Sequence, residues 1–201
     1  MARHVVHPPL IPHILARHAW SMIRPCIDSD FDVIASIIND GARAYRGAIP
    51  DDCLKEPYMS EPELRHELAS GVKFHGYEER GELIGVMGIQ NVADVTLIRH
   101  AYVRTACQRR GIGAALLAHL RALAGQPILI GSWEAAIWAI RFYEQHDFRL
   151  VPEDQKTRLL ARYWSISQRQ IETSVVLAEV DDDAGSDHSD KLRTVPKASE
   201  G

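Results

Sequence analysis

Residues 101–117 read Ala-Tyr-Val-Arg-Thr-Ala-Cys-Gln-Arg-Arg-Gly-Ile-Gly-Ala-Ala-Leu-Leu, a strand that runs into a glycine-bearing loop and out into an alanine- and leucine-rich helix. This stretch constrains the chain more than any other. A helix start exposes unpaired N–H groups and the positive end of its dipole, an arrangement that suits a diphosphate. Glycines at 111 and 113 take away side chains that would hold phosphate oxygens off those amides, and Arg109 and Arg110 add fixed positive charge. The loop is neither a G-x-x-x-x-G-K-[ST] nor a G-x-G-x-x-G opening a βαβ unit. A tight turn flanked by solvated arginines has the same composition, so the loop alone leaves both readings open.

The flanking sequence supplies the elements around it. Met22-Ile-Arg-Pro reads as a first strand, and Asp28-Ser29-Asp30 precedes a helix-period stripe of Phe31, Val33, Ile34, Ile37 and Ile38. Ser60 with Glu63 reads as a capping-box start to a second helix that stops at Gly71, and Tyr45 to Met59 between them is a proline-interrupted loop. Lys73 to Glu78 and Leu83 to Ile89, joined at Arg80-Gly81-Glu82, form a hairpin signal. Strands follow at 96–103, 128–130, 148–151 and 173–177, with helices at 114–124, 135–146 and around 156–163. Strands and helices are interspersed, which predicts an α/β fold with one mixed sheet covered by helices and no internal repeat.

Length and charge bound the rest. The 201 residues with 46% apolar content suffice for one domain with a substantial core, and a formal charge of -4 lacks the basic excess that drives nucleic-acid binding. Cys26, Cys53 and Cys107 are odd in number and far apart, which fits a reducing compartment and no zinc set. Prolines and histidines interrupt every apolar run near the N-terminus, so no membrane span is expected there, and the protein is expected to be cytoplasmic. Residues 1–21 are expected to be a disordered leader or extension, 22–180 the folded domain, and 181–201, which opens on three aspartates, a solvated disordered tail.

The loop resembles the Q/R-x-x-G-x-G/A signature of the GCN5-related N-acetyltransferase (GNAT) family, matched by Gln108, Gly111 and Gly113 after a strand ending Tyr102-Val103. The resemblance extends over 22–180 in element order. It implies a GNAT-like, mostly antiparallel central sheet with splayed central strands, and acetyl-CoA or a related acyl-CoA as donor, with no metal. The diphosphate would lie on the amides of Arg109, Arg110, Gly111, Ile112, Gly113 and Ala114. The strand at Ala101, Tyr102 and Val103 would pair with the pantetheine arm, and Ile128 to Gly131 would be the strand that parts from it. Family members often pair through strand and helix edges, which suggests a homodimer.

The segment 136–148 resembles the family helix ending A-x-x-F-Y-E-x-x-G-F. Tyr143 falls where a phenol commonly points at the thioester sulfur, and a phenol donates a proton without carrying charge at neutral pH. Two departures stand out: Ala136 replaces a frequent Asn, and Asp147 replaces the glycine before the final Phe, where a left-handed residue is wanted. The strand glutamate that serves many relatives as base is His100 here, whose ordinary pKa suits proton transfer near neutrality, with Glu134 or bulk water as fallback. Strand alternation puts His100 on the face of Ile98 and Tyr102, opposite Arg99 and Ala101.

Acceptor recognition is expected from Tyr45, Arg46, Asp51, Asp52, Tyr58 and Glu61, with Trp133 and Trp138 across the cleft. The acidic residues favour a cationic amine and Arg46 a carboxylate-bearing one. The leading expectation is direct acetyl transfer to a primary amine; a non-catalytic acyl-CoA-binding sensor and, more remotely, a nucleotide-binding protein are the alternatives.

Overall fold

The computed structural model describes residues 21–180; the leader up to residue 20 and the tail 181–201 lie outside the described residues. Ser21, placed at the end of the leader by sequence, opens strand β1 (Ser21–Pro25). A single sheet follows from β2 (Lys73–Glu79), β3 (Glu82–Val92), β4 (Val95–Val103), β5 (Ile128–Trp133), β6 (Phe148–Leu150) and β7 (Ser174–Glu179). Its order is β1-β2-β3-β4-β5-β7-β6. Every pairing is antiparallel except β4 with β5, as expected of a mixed, mostly antiparallel sheet.

The helices start and stop where local chemistry dictates. Helix α1 (Phe31–Gly41) buries Ile34, Ile37 and Ile38, the stripe its 3.6-residue period requires. Its entry is pinned by Asp30, which accepts the Ile27 N–H at 2.8 Å and a two-point contact from Arg24 at 2.7 and 3.1 Å. At α2 (Glu61–Ala69) the Ser60 hydroxyl accepts the Glu63 N–H at 3.3 Å. The reciprocal half of the expected capping box does not form; the Glu63 carboxylate instead accepts from Lys55 at 3.2 Å. Gly71, at φ +94°, turns the chain out of the helix. In the β2–β3 hairpin Arg80 and Gly81 both have positive φ, the two-residue turn whose twist matches the strands.

Helices α3 (Ile112–Leu123) and α4 (Ile137–Glu144) cover one face, where Leu116, Leu117 and Leu120 pack on Ile84, Met87, Ile98 and Ile130. The other face carries α1 and α2 over β2 and β3. It also carries α5 (Glu153–Tyr163) and α6 (Gln168–Glu172) over β5 and β7. Helix α6 was not expected from sequence; its five residues are short for periodicity to register, and it is held by a capping box between Ser167 and Gln170.

Two irregularities in β4 shape the molecule. Its parallel pairing with β5 runs only from Thr96↔Ile128 to Ile98↔Ile130, after which β5 stays on β7 through Trp133 and β4 goes on alone on that side. On its other side a register shift opposite Val86–Gly88 inserts an extra residue, with His100 at φ +50°. The bulge corrects the expected alternation: Arg99 joins His100 and Tyr102 on the α1–α2 face, while Ile98 and Ala101 pack toward α3. Gly88 lies opposite it, where an added Cβ would come within 2.8 Å of Val72 Cγ1 and 3.1 Å of the Arg99 carbonyl oxygen. Gly88→Ala should therefore lower the unfolding free energy by about 1–3 kcal/mol, read from the urea midpoint at unchanged slope.

Candidate active site

The parting of β4 from β5 opens a cleft of about 640 Å³, within the usual range for a small-molecule site. Among the described residues, no strand lies beside the β4 edge from Arg99 to Val103 that faces the gap. An unpaired strand edge offers N–H and C=O groups in a row, a template for an extended amide-bearing arm. Ala101, Tyr102 and Val103 line the cleft as expected, and Gly131 and Ser132 form its far wall.

The loop at the mouth has the geometry its sequence suggested. Gly111 is the N-cap of α3 at φ +79°, and Arg109 is also left-handed at φ +59°. Among the described residues, no acceptor meets the backbone N–H of Arg109, Arg110, Gly111, Ile112, Gly113 or Ala114. Six consecutive free amides at the positive end of a helix fit a diphosphate. The two glycines differ in surroundings. A Cβ on Gly111 would meet open space, and its φ calls for glycine; a Cβ on Gly113 would sit 3.4 Å from Phe142 Cζ, an ordinary contact with the ring on α4. The two arginines differ as well: Arg110 reaches Glu79 at 2.7 Å, whereas Arg109 makes no ion pair among the described residues and lines the cleft. Gln108 donates to the Val103 carbonyl at 3.3 Å, closing the loop on its strand. The loop is tied to α1 by Asp40, which accepts the Thr105 N–H at 2.7 Å; that bond holds the Asp40 carboxyl below its ordinary value.

Tyr143 projects from α4 into the cleft with its ring packed edge-on to Phe142 and Phe148. Its phenol makes no hydrogen bond among the described residues, and burial raises its pKa well above the ordinary 10.0. It is therefore a neutral donor throughout the physiological range. Helix α4 leaves through Asp147 at φ +67°, the left-handed conformation that glycine adopts most freely, with Arg121 3.6 Å from its carboxylate. Ala136 is fully buried at the N-cap of α4 and brings no polar group to the cleft.

His100 lies at the cleft floor, tied to a partner the sequence did not single out. Glu67 of α2 bridges two consecutive residues of the bulge: Oε1 accepts from Arg99 at 3.0 Å and Oε2 faces His100 Nε2 at 3.2 Å, close enough to pair but off the line of a good hydrogen bond. Burial alone would push the Glu67 carboxyl up; the contact with His100 and the charges of His100 and Arg99 outweigh it and hold the group below its ordinary value. With the folded pKa depressed, this pairing stabilises the fold above the ordinary carboxylate range and is lost as pH falls through the lowered value. Gln90 completes the network, accepting from Arg99 at 3.0 Å and donating to the Ser70 carbonyl at 2.8 Å. Glu67 escaped sequence reading because only the bulge turns residues 99 and 100 to the same helix.

The side of the cleft carrying Tyr45 and Tyr58 is built from rings. Tyr45 stacks on Tyr58 at 5.7 Å, Tyr102 stands edge-on to both, and Trp138 leans on Tyr45 at 5.6 Å. Trp133 Nε1 donates to the Tyr58 hydroxyl at 3.3 Å, bridging the two walls. Trp164, Ile166, Gln170 and Ser174, from the chain between α5 and β7, also line the cleft and were not anticipated. An aromatic just past a helix end was the one available signal. Arg46, Asp51, Asp52, Glu61 and Glu134 do not line it; Arg46 pairs with Glu56 at 2.7 Å and Asp52 with Arg169 at 3.1 Å.

Comparison with known proteins agrees with this architecture. Residues 41–160 match the family model described as an acetyltransferase (GNAT) domain. The chain belongs to the GNAT acetyltransferase family, and its class is that of an acyl-CoA-dependent acetyltransferase. Among solved structures, the PaiA N-acetyltransferase of Thermoplasma acidophilum in complex with coenzyme A superposes with a TM-score of 0.61 at 14% identity, over 80% of this chain and 98% of that one. The ribosomal-protein-S18-alanine N-acetyltransferase of Escherichia coli gives 0.55 at 16%, over 83% and 100%. A GNAT family acetyltransferase of Elizabethkingia anophelis with acetyl-CoA bound gives 0.52 at 20%, over 79% and 97%. At these identities the likeness is one of fold. No curated protein sequence gives a significant match.

Two substitutions test the site. Gly111→Glu puts a carboxylate among the free amides in otherwise open space and should weaken acetyl-CoA binding by about 100-fold in calorimetric titration, with circular dichroism retained. Glu67→Gln leaves Arg99 and His100 facing each other without a counter-charge and should destabilise the fold by about 3 kcal/mol in urea.

Proposed function

We propose that the protein transfers an acetyl group from acetyl-CoA directly to a primary amine. The observation that carries this reading is the run of free amides at 109–114 beside the unpaired β4 edge, with a protonated phenol inside the same cleft. The loop amides and Arg109 would hold the diphosphate, and the edge of Ala101 to Val103 the pantetheine arm. A backbone N–H of that edge would meet the developing charge on the thioester oxygen.

Within this frame the amine nitrogen attacks the thioester carbon. The C–N bond forms as the C–S bond breaks. The proton lost from nitrogen passes to His100, whose Nε2 is turned to Glu67 so that Nδ1 is left for the cleft. The thiolate takes its proton from Tyr143, which solvent then restores. Glu67 acts on the imidazole, not on the substrate: its Oε2, 3.2 Å from Nε2, holds the ring in place. The acyl-CoA-binding sensor reading rests on Ala136 and Asp147. Asp147 adopts the left-handed exit that glycine provides in relatives, so only the buried Ala136 still favours it.

Tyr143→Phe should lower kcat by about 10- to 100-fold while the KM for acetyl-CoA stays within two-fold, measured by free-thiol release with a competent amine. Unchanged kcat removes Tyr143 from proton transfer. Because the phenol's pKa is raised, its donor form persists as pH climbs, so the wild-type kcat profile should show no descending limb near pH 10.0. A fall centred there would contradict this role.

A further inference from the structure

The acceptor class is legible in what the cleft lacks as well as in what lines it, and this inference rests on the acetyltransferase reading above. Among the described residues, no aspartate or glutamate lines the cleft. Of the carboxylates close in sequence to the ring wall, Glu134 beside Trp133 is exposed and outside the cleft lining, while Asp52 pairs with Arg169 and Glu56 with Arg46 at the surface. A diamine or polyamine would bury a second ammonium there with no counter-charge.

Fixed positive charge on that side is equally committed. Arg99 spends its guanidinium on Glu67 and Gln90, each at 3.0 Å, so it has no fork left for an acceptor carboxylate. Among the described residues, the one cleft-lining arginine without an ion pair is Arg109 at the glycine loop, so an acceptor carboxylate on the ring side meets no free guanidinium.

What remains is ring surface. Tyr45, Tyr58, Tyr102, Trp133 and Trp138 form a connected cluster spanning both walls, and Trp138 is 46% exposed. Burial, followed by the neighbouring phenols, raises the Tyr102 pKa well above 10.0, and the Tyr45 phenol is raised in the same way, so both stay uncharged. Such a wall favours a flat apolar body by stacking and tolerates a single alkylammonium on a ring face without a carboxylate.

We propose that the acceptor is a primary amine on a flat aromatic body with no second charge, an arylalkylamine. Transfer to it yields the neutral N-acetyl amide and free coenzyme A, the proton balance being that of the general reaction.

The test is free-thiol release by the full chain with acetyl-CoA and phenethylamine, putrescine, glycine or a short unmodified peptide, alongside calorimetric titration of acetyl-CoA into the same preparation. Expected is a kcat/KM for phenethylamine at least about ten-fold above every other amine. In Trp138→Ala the KM for phenethylamine should rise about five-fold with that for acetyl-CoA unchanged. Equal or better turnover of putrescine, glycine or the peptide overturns the aromatic-acceptor inference and leaves the donor site standing. So does failure to turn over phenethylamine when acetyl-CoA binds, or a Trp138→Ala effect on acetyl-CoA alone. Failure of acetyl-CoA to bind the folded chain overturns both readings together.

Discussion

Everything at the site depends on where β4 stops pairing with β5. Backbone N–H and C=O groups in a sheet demand partners, and a strand released from its neighbour in mid-sheet must have them supplied from elsewhere. Here the release comes after Ile98↔Ile130, while β5 remains anchored to β7 and β4 to β3, so the gap cannot close by sliding either strand. Gly131 sits against the Trp164 ring, where a Cβ would come within 3.2 Å, which lets a large side chain from the far face fill the lower part of the split. The result is a slot with a polar edge, a phosphate-suited loop at one end and aromatic walls at the other.

The bulge in β4 is the second consequence of the same strand. An extra residue at His100 turns two neighbouring side chains to one face, where Glu67 bridges them, 3.0 Å from the Arg99 guanidinium and 3.2 Å from His100 Nε2. The left-handed backbone at His100 is a strain of about 1–2 kcal/mol for a residue with a Cβ, and the Glu67 bridge offsets it locally. Stability and chemistry are joined here. The network that secures the bulge is also the one that orients the imidazole at the cleft floor.

Much of this was legible in the sequence, for identifiable reasons. The loop at 108–114 was readable because free amides and a left-handed N-cap require glycine at one specific place, and Gly111 meets that need. Asp147 was readable as a stand-in for glycine because few other residues adopt φ near +67°. Helix α1 showed through its isoleucine spacing. The face of Arg99 was misplaced because a bulge breaks period-two alternation without leaving a mark such as Gly or Pro. Glu67 and Trp164 are brought to the site by tertiary packing from α2 and from the end of α5, and no local pattern announces that. Charged loop residues such as Arg46 and Asp52 suggested recognition, but in the fold Arg46 pairs with Glu56 and Asp52 with Arg169 at the surface.

The central claim is that the free amides of residues 109–114 and the open edge of β4 together hold the donor. Amide chemical-shift mapping of the isotope-labelled chain during titration with coenzyme A tests it residue by residue. The account predicts the largest displacements at Arg109 to Ala114, with a second set along Arg99 to Val103, and little change in α2 or α6. Displacements centred on another face, or none at saturating coenzyme A, would contradict it.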